Sequence, residues 1–575
     1  MTDSERAVPG RDDAPSGTVA AGTLGAGPGP APDATPPADK AAPRQPLPRR
    51  LAWPALVAAA GVTAFACYLR MSSTVPANSD GAANALQAWD MLHGNLLLHG
   101  WWLSDVSFYT TELPEYMLVE LARGLNAGVV HVAAALTYTL LVALAALLAK
   151  GKATGREAWV RMLMAAGLML APQLGVGTQV LLLSPDHVGT VVPVLAAWLL
   201  LDRFGRRRWV PAAVGLLLAW ALAADELVLF IGIAPLLVVS LVRAYRRIIA
   251  QRHRLSEAWY ELSLAAAALA ALAVGLTVPA LVHAVGGYSV VPVPEHLALA
   301  SQMETRLRLT AEGLLLLFGA DFVGLRPGLS AGLVLLHLAG VALAAWAVGI
   351  AVRRFLRDSD LVVQLLVAGT LIIVAAYLFW RQVPGIGYSH EMAPALPFAA
   401  VLAGRLLAGR LMSARLLPVA AAVLLGYLLT LGGNALHRPV PDADRQLTAF
   451  LAAHHLGYGL SGYWQADEIT LASGNQIQVR ALQVNRDSVS ASHWESDASW
   501  YDPRRHDASF VLLFSGQPGF SGEAGLTPFD PASQVRDTFG APARVYRLGR
   551  YTVLVWRRNL LDPLEGPGRA AGRVG

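Results

Sequence analysis

Apolar residues run along this chain in long blocks, not in the short alternations of a soluble fold. The first block covers residues 51–69. Ten more follow at roughly 126–149, 159–183, 188–202, 209–224, 227–242, 259–283, 329–352, 360–380, 391–411 and 416–434. A helical bilayer crossing takes about 20 mainly apolar residues, so the pattern predicts about 11 transmembrane helices. Several blocks are short, and the two that meet at Asp225-Glu226 read either as a hairpin or as one long broken helix.

Two connections are long. In residues 70–125, Ala82, Ala85, Leu86, Trp89, Leu92 and Leu96 recur at helical spacing. Trp101, Trp102, Phe108 and Tyr109 follow, the aromatic content of a segment at the headgroup level. Residues 284–328 hold a second helix-like run at 307–318. From about 437 the pattern becomes that of a soluble α/β region. Residues 442–455 read as a helix, and Gly462-Tyr463-Trp464 as a short strand. Residues 477–482, 509–514, 544–548 and 551–556 read as further strands. Asp530 is placed to cap a short helix that Gly540 ends.

Charge sets the expected orientation. Arg44, Arg49, Arg50, Lys150, Lys152, Arg156, Arg161 and the arginines of the connections near 203–208, 243–254, 353–357 and 405–415 total 22 on one side. The other side carries only Arg70, Arg123, Arg306, Arg308, Arg326 and Arg381, although two of its connections are much longer. Basic residues mark cytoplasmic loops, so the N-terminus is expected inside and the region from about 440 outside, in the plasma membrane of a bacterial cell. Residues 1–50 hold 26 Ala, Pro or Gly and few large apolar side chains, the composition of a disordered cytoplasmic tail. An apolar run beginning that late does not read as a cleavable signal peptide.

Composition narrows the class. The chain has 575 residues, 55% hydrophobic and 15% charged, against about 25% charged in soluble proteins. Its formal charge of +5 is spread over many loops, which points to membrane topology and away from nucleic acid. Cys67 is the single cysteine, so no intramolecular disulfide forms. The expected fold is thus a polytopic α-helical membrane protein with a small extracytoplasmic α/β C-terminal domain. The boundaries are a tail at 1–50, a membrane domain at 51–436, an outer domain at 437–562 and a flexible tail at 563–575.

The spans carry few ionisable groups, and the acids gather at their outer ends. Asn78-Ser79-Asp80-Gly81 comes just past the first span, and Asp105, Glu112 and Glu115 lie further along the same loop. A carboxylate placed there can take a proton from an attacking hydroxyl, an effect of about 10²–10⁴-fold in rate. It can equally cap the helix that starts at Gly81. Ser184-Pro185-Asp186-His187 reads as a turn between two spans, with His187 able to contact phosphate or a sugar hydroxyl. Asp225-Glu226 sits at another turn, and two adjacent acids alone do not define a metal site. Tyr463, Trp464, Trp494, Trp500 and Tyr501 are candidates for stacking on sugar rings or for the core of the C-terminal region.

A long first outer loop with an acid after the first span, about 11 spans and an outer C-terminal domain resemble the GT-C glycosyltransferase superfamily. Within it, the likeness is to the protein O-mannosyltransferase and aminoarabinose transferase branch. The segment Gly387-Tyr388-Ser389-His390-Glu391-Met392-Ala393-Pro394-Ala395-Leu396-Pro397 is similar to the Arg-Tyr-x-x-Pro-x-x-Pro stretch that opens a late span in such proteins. The resemblance covers roughly residues 51–434. It implies a polyprenyl-phosphate sugar donor, transfer with inversion on the outer face, and Asp80 as the base. The family pattern commonly has a second acid after the first, where Gly81 stands here, and an arginine in the late segment, which offers His390-Glu391 instead.

Donor phosphate needs a cation, for which Arg381 and His390 are the candidates. Arg381 beside Trp380 also reads as an interfacial anchor. Asp105 and Glu112 are expected to orient the acceptor, a cell-envelope glycan, a lipid or an exported protein. No cofactor is expected, with a divalent cation at Asp225-Glu226 left as an alternative. Rival readings are a glycan polymer ligase, a transporter or flippase of lipid-linked sugars, and a scaffold that keeps only the fold.

Overall fold

The computed structural model describes residues 49–564, apart from 251–254, 294–295, 326–327, 358–359, 380–384, 414–415, 441–444, 485–487 and 515–530. Arg381 and the cap expected at Asp530 lie outside the described residues. The first helix, α1 (Arg49–Ser72), leads into α2 (Ser79–Leu92), a short strand β1 (Trp101–Leu103) and α3 (Glu112–Arg123). Helices α4 (Gly128–Lys150), α5 (Gly155–Met169), α6 (Val176–Leu182), α7 (Val191–Phe204), α8 (Val210–Leu222), α9 (Ala234–Tyr245) and α10 (Trp259–Ala284) follow. After β2 (Ser289–Val290) come α11 (Met303–Leu317), α12 (Leu329–Arg354), α13 (Leu361–Phe379), α14 (Ala395–Leu411) and α15 (Leu417–Ala435).

Among the described residues, seven helical segments are long and apolar enough to cross a bilayer, and an eighth if the bent pair Ile386–Met392 and Ala395–Leu411, kinked by 53°, is one span. The remaining predicted blocks are shorter. Residues 159–183 were expected as one helix, but the chain breaks between α5 and α6. Pro172 lies in that break, and Gly175 ends it in the left-handed region at φ +79°. Helices α7 and α8 run for only 14 and 13 residues. The core of the bundle is the alanine-, leucine- and valine-rich packing of α4, α7, α13 and α14, whose neighbours present exposed leucines on their outer faces.

The C-terminal region comprises α16 (Arg445–Ala453), β3 (Tyr458–Gly462), α17 (Tyr463–Ala472), β4 (Gln478–Val484), β5 (Val489–Ala491) and β6 (Ser496–Asp497). Beyond these lie β7 (Phe510–Phe514), α18 (Pro531–Phe539), β8 (Arg544–Leu548) and β9 (Tyr551–Val555). Six strands form one sheet in the order β5-β4-β3-β7-β9-β8, parallel in its centre and antiparallel at both edges. Tyr463 and Trp464, expected to continue a strand, instead open α17. The strand ends at Gly462, and the next ten residues carry helix-forming Gln465, Ala466 and Glu468 with apolar Ile469 and Leu471 on the buried face.

This region is stitched to the loops between the membrane helices. Strand β1 from the first long loop pairs in parallel with β2 from the second, and antiparallel with β6 from the C-terminal region. Helix α17 packs along α2, and the Ser79 hydroxyl donates to the Tyr463 carbonyl at 2.6 Å. The residues from Val57 onward thus form one compact unit.

Candidate active site

Asp80 sits in the first turn of α2, one residue inside the helix. It is not the cap. Asn78 holds that place, with extended backbone and its Oδ1 accepting from the Gly81 N–H at 3.0 Å. The Asp80 carboxylate accepts instead from Asn78 Nδ2 at 3.0 Å and contacts the Tyr463 hydroxyl at 2.5 Å through Oδ1. Burial, reinforced by the negative charge of Asp186, pushes the Asp80 carboxyl up to about 7, although the Tyr463 hydrogen bond pulls the other way. An acid at that value is poised to exchange a proton near neutrality. Gly81 is fixed by space. A Cβ there would lie 2.7 Å from Val130 Cγ1 and 3.1 Å from Asn78 Oδ1, so a second acid has no room directly after Asp80.

The turn before α7 supplies the next group. Asp186 accepts from Asn84 Nδ2 of α2 at 2.9 Å, and its carboxyl is raised, chiefly by burial. His187 adopts a positive φ of +56° and places Nδ1 2.8 Å from Asp225 Oδ2. Thr190 donates to the same oxygen at 2.8 Å, and the Leu227 N–H donates to Asp225 Oδ1 at 2.8 Å. Burial alone would push His187 toward its neutral form. The charge and hydrogen bond of Asp225 overcome that and hold it up at about 9, while His187 in turn holds Asp225 below its usual range. The result at neutral pH is an imidazolium locked to a carboxylate, with its ring stacked on His390 at 5.2 Å between centroids and 12° between planes.

His187 and Asp225 line a cavity of about 300 Å³ together with Asp105, Glu226, Glu391 and Tyr377, and with Leu227, Phe230, Ile373 and Ala376 on its apolar side. Asp105 and His187 are close enough to Asp80 for their charges to act on it, which ties Asp80 to the cavity electrostatically. Among the described residues, no three acids, histidines or cysteines converge closely enough to hold a metal ion. The carboxylates can accept hydrogen bonds from sugar hydroxyls and can stabilise positive charge developing on a sugar ring.

Of the residues singled out from sequence, Asp105 and His187 line the cavity, His390 stacks on His187, and Asp80 lies outside the lining and acts on it through its charge. Glu112 starts α3 and is 1% exposed, bonded by Thr111 and with its Oε1 3.3 Å from the Thr190 hydroxyl oxygen. It stands behind the His187–Asp225 pair, outside the lining of the cavity. Burial raises its carboxyl well above the usual range. Two residues of the cluster, Tyr463 and Glu495, lie in the C-terminal region, and Glu495 carries no sequence signal of any kind.

Glu112 also explains Gly189. A Cβ at position 189 would come 2.5 Å from Glu112 Oε1 and 2.9 Å from its Cδ. Gly189→Ala must therefore move a buried acid, an overpacking cost of about 1–3 kcal/mol. The expected result is a lower melting temperature of the detergent-purified chain, read by scanning fluorimetry, and a wild-type melting curve would contradict the packing described.

The site lies at one end of the bundle, and the basic groups mark the other. Thr190, immediately before α7, touches Glu112 and Asp225, whereas Asp202 near the far end of α7 pairs with Arg405 at 2.7 Å. Fourteen helical residues separate these ends by about 20 Å. At the Arg405 end, Arg206 and Arg247 both bond Glu261.

No family model matches the chain, and no curated protein matches it. Among solved structures, the chain is similar to the crystal structure of the Archaeoglobus fulgidus oligosaccharyltransferase in the apo form. The identity is 12%, over 79% of this chain and 69% of that one, with a TM-score of 0.43.

Proposed function

We propose that the protein is an inverting glycosyltransferase that moves a sugar from a polyprenyl-phosphate donor to an acceptor hydroxyl at the outer face of the plasma membrane. The observation that carries this reading is Asp80 itself. It stands directly beyond the first span, half-buried and freed from capping by Asn78, and it is electrostatically joined to a carboxylate-lined cavity at the helix ends. The 22-to-6 split of basic residues supports an outer position for that end.

In this mechanism Asp80 takes the proton of the acceptor hydroxyl as its oxygen attacks the anomeric carbon. The bond from that carbon to the phosphate oxygen breaks, and the polyprenyl phosphate leaves with the electron pair. His187, kept protonated by Asp225, is the cation offered to the leaving phosphate, with His390 stacked behind it and Arg381 as a further candidate. Asp105 orients the acceptor from the cavity wall, and Glu112 supports it from behind, through Thr190 and the His187–Asp225 pair.

The test is twofold. Mass spectrometry of lipid that co-purifies with the detergent-solubilised chain should find a polyprenyl-phosphate sugar, and membranes containing the protein should transfer that sugar to an acceptor. Absence of both the lipid and the transfer would overturn the reading.

A further inference from the structure

The Tyr463 hydroxyl has one hydrogen, yet it lies 2.5 Å from Asp80 Oδ1 and 2.5 Å from Glu495 Oε2. Two oxygen–oxygen contacts that short each need a proton between them. The phenol supplies one, and the other must come from a protonated carboxyl. While this geometry holds, only one of the two acids carries a charge.

The surroundings decide which one. Glu495 is 3% exposed, and the charged groups that chiefly face it are Asp80 and Asp186 from the membrane domain and Asp467 from α17, all acids. Asp80 faces Asp186, Asp105 and Asp467 but also His187, accepts from Asn78 and is half-buried. Charge is better tolerated on Asp80. We propose, on the basis of the glycosyltransferase reading, that the C-terminal region supplies the site with its second acid. In this arrangement Glu495 acts as a protonated carboxyl that donates to Tyr463, so that Tyr463 donates to Asp80 and holds it as the ionised base. Position 81 has no room for a second acid beside Asp80, and Glu495 reaches the same phenol from 415 residues beyond Asp80 along the chain.

Tyr463 and Glu495 are positioning residues, so their effect falls on the pH dependence. Loss of the Asp80 proton gives transfer an acid limb near pH 7. Loss of the Glu495 proton puts two charges on one phenol, breaks the contact and gives an alkaline limb. Tyr463→Phe removes the donor that stabilises ionised Asp80, so the acid limb should move up by about one to two pH units. Glu495→Gln keeps a donor to Tyr463 but has no proton to lose, so the alkaline limb should vanish.

A second readout does not depend on turnover. Infrared difference spectroscopy on titration of the purified full chain reads protonated carboxyls directly. Glu495→Gln should remove one that persists at neutral pH, and Tyr463→Phe should raise the pH at which another ionises. Unchanged titrations in both variants overturn the proposal, whether or not transfer is detected. Should Asp80→Asn turn over normally while the titrations shift as expected, the proton-sharing unit stands and the base reading falls.

Discussion

Asp80→Asn should lower the proposed sugar transfer by about 10²–10⁴-fold, or roughly 3–5 kcal/mol in the barrier, with expression and bound lipid unchanged. The substitution keeps size and shape but cannot accept a proton. Had Asp80 been the helix cap, asparagine would serve nearly as well and the change would be silent. Asn78 already caps α2 through the Gly81 N–H, so that alternative loses its basis. Stability should rise slightly near neutral pH. The folded state holds the Asp80 carboxyl up at about 7, so ionising it disfavours folding as the pH climbs from the ordinary carboxylate range through that value. An amide has no such penalty. Transfer from lipid-linked sugar in membranes, with protein and lipid quantified in parallel, is the measurement. Wild-type turnover by the asparagine variant would remove Asp80 as the base and direct attention to Asp105 on the cavity wall.

Much of this site is legible in the sequence because the membrane simplifies the reading. An acid or histidine next to a long apolar block is conspicuous, and Asp80, His187 and His390 lie at or near such block ends, whereas Asp105 lies in the middle of the long loop between two blocks. The break between α5 and α6 was equally visible in Pro172 and Gly175, but an average over 25 apolar residues hides two residues that stop a helix. Tyr463 reads from sequence as an aromatic within a short strand. Its hydroxyl matters here through contacts with residues 383 and 32 positions away. Glu495 was not legible at all. It lies in a loop with a positive φ of +47° between two short strands, and nothing local distinguishes it from a solvated acid. Only the pairing of β6 with β1 and the packing of α17 on α2 carry it to Asp80. Periodicity reports which face of an element is buried, and not which distant element it meets.

Arg405→Met should destabilise the folded chain by about 3–5 kcal/mol, the largest effect expected outside the site. Arg405 is buried in α14 at the end of the bundle away from the cavity. Its Nη2 lies 2.7 Å from Asp202 Oδ1 and its Nη1 lies 2.7 Å from Asp360 Oδ2. Its Nε and Nη2 donate to the Leu148 carbonyl at 2.9 and 2.7 Å. One guanidinium thereby joins α4, α7 and the start of α13 to α14 through a planar fork that a lysine cannot reproduce. Methionine fills similar volume, so the cost comes from what is left behind. Asp202 is 7% exposed at its side chain, and its Oδ2 already has no hydrogen-bond partner among the described residues, so it becomes a buried charge without a counterion. Asp360, at 38% exposed, can turn to water and contributes less. The asymmetry gives the control. Adding Asp202→Leu to Arg405→Met removes the stranded charge and should recover most of the lost melting temperature, whereas adding Asp360→Asn should recover little. Equal recovery by the two second substitutions would show that the fork, and not the buried carboxylate of Asp202, sets the stability of this end of the bundle.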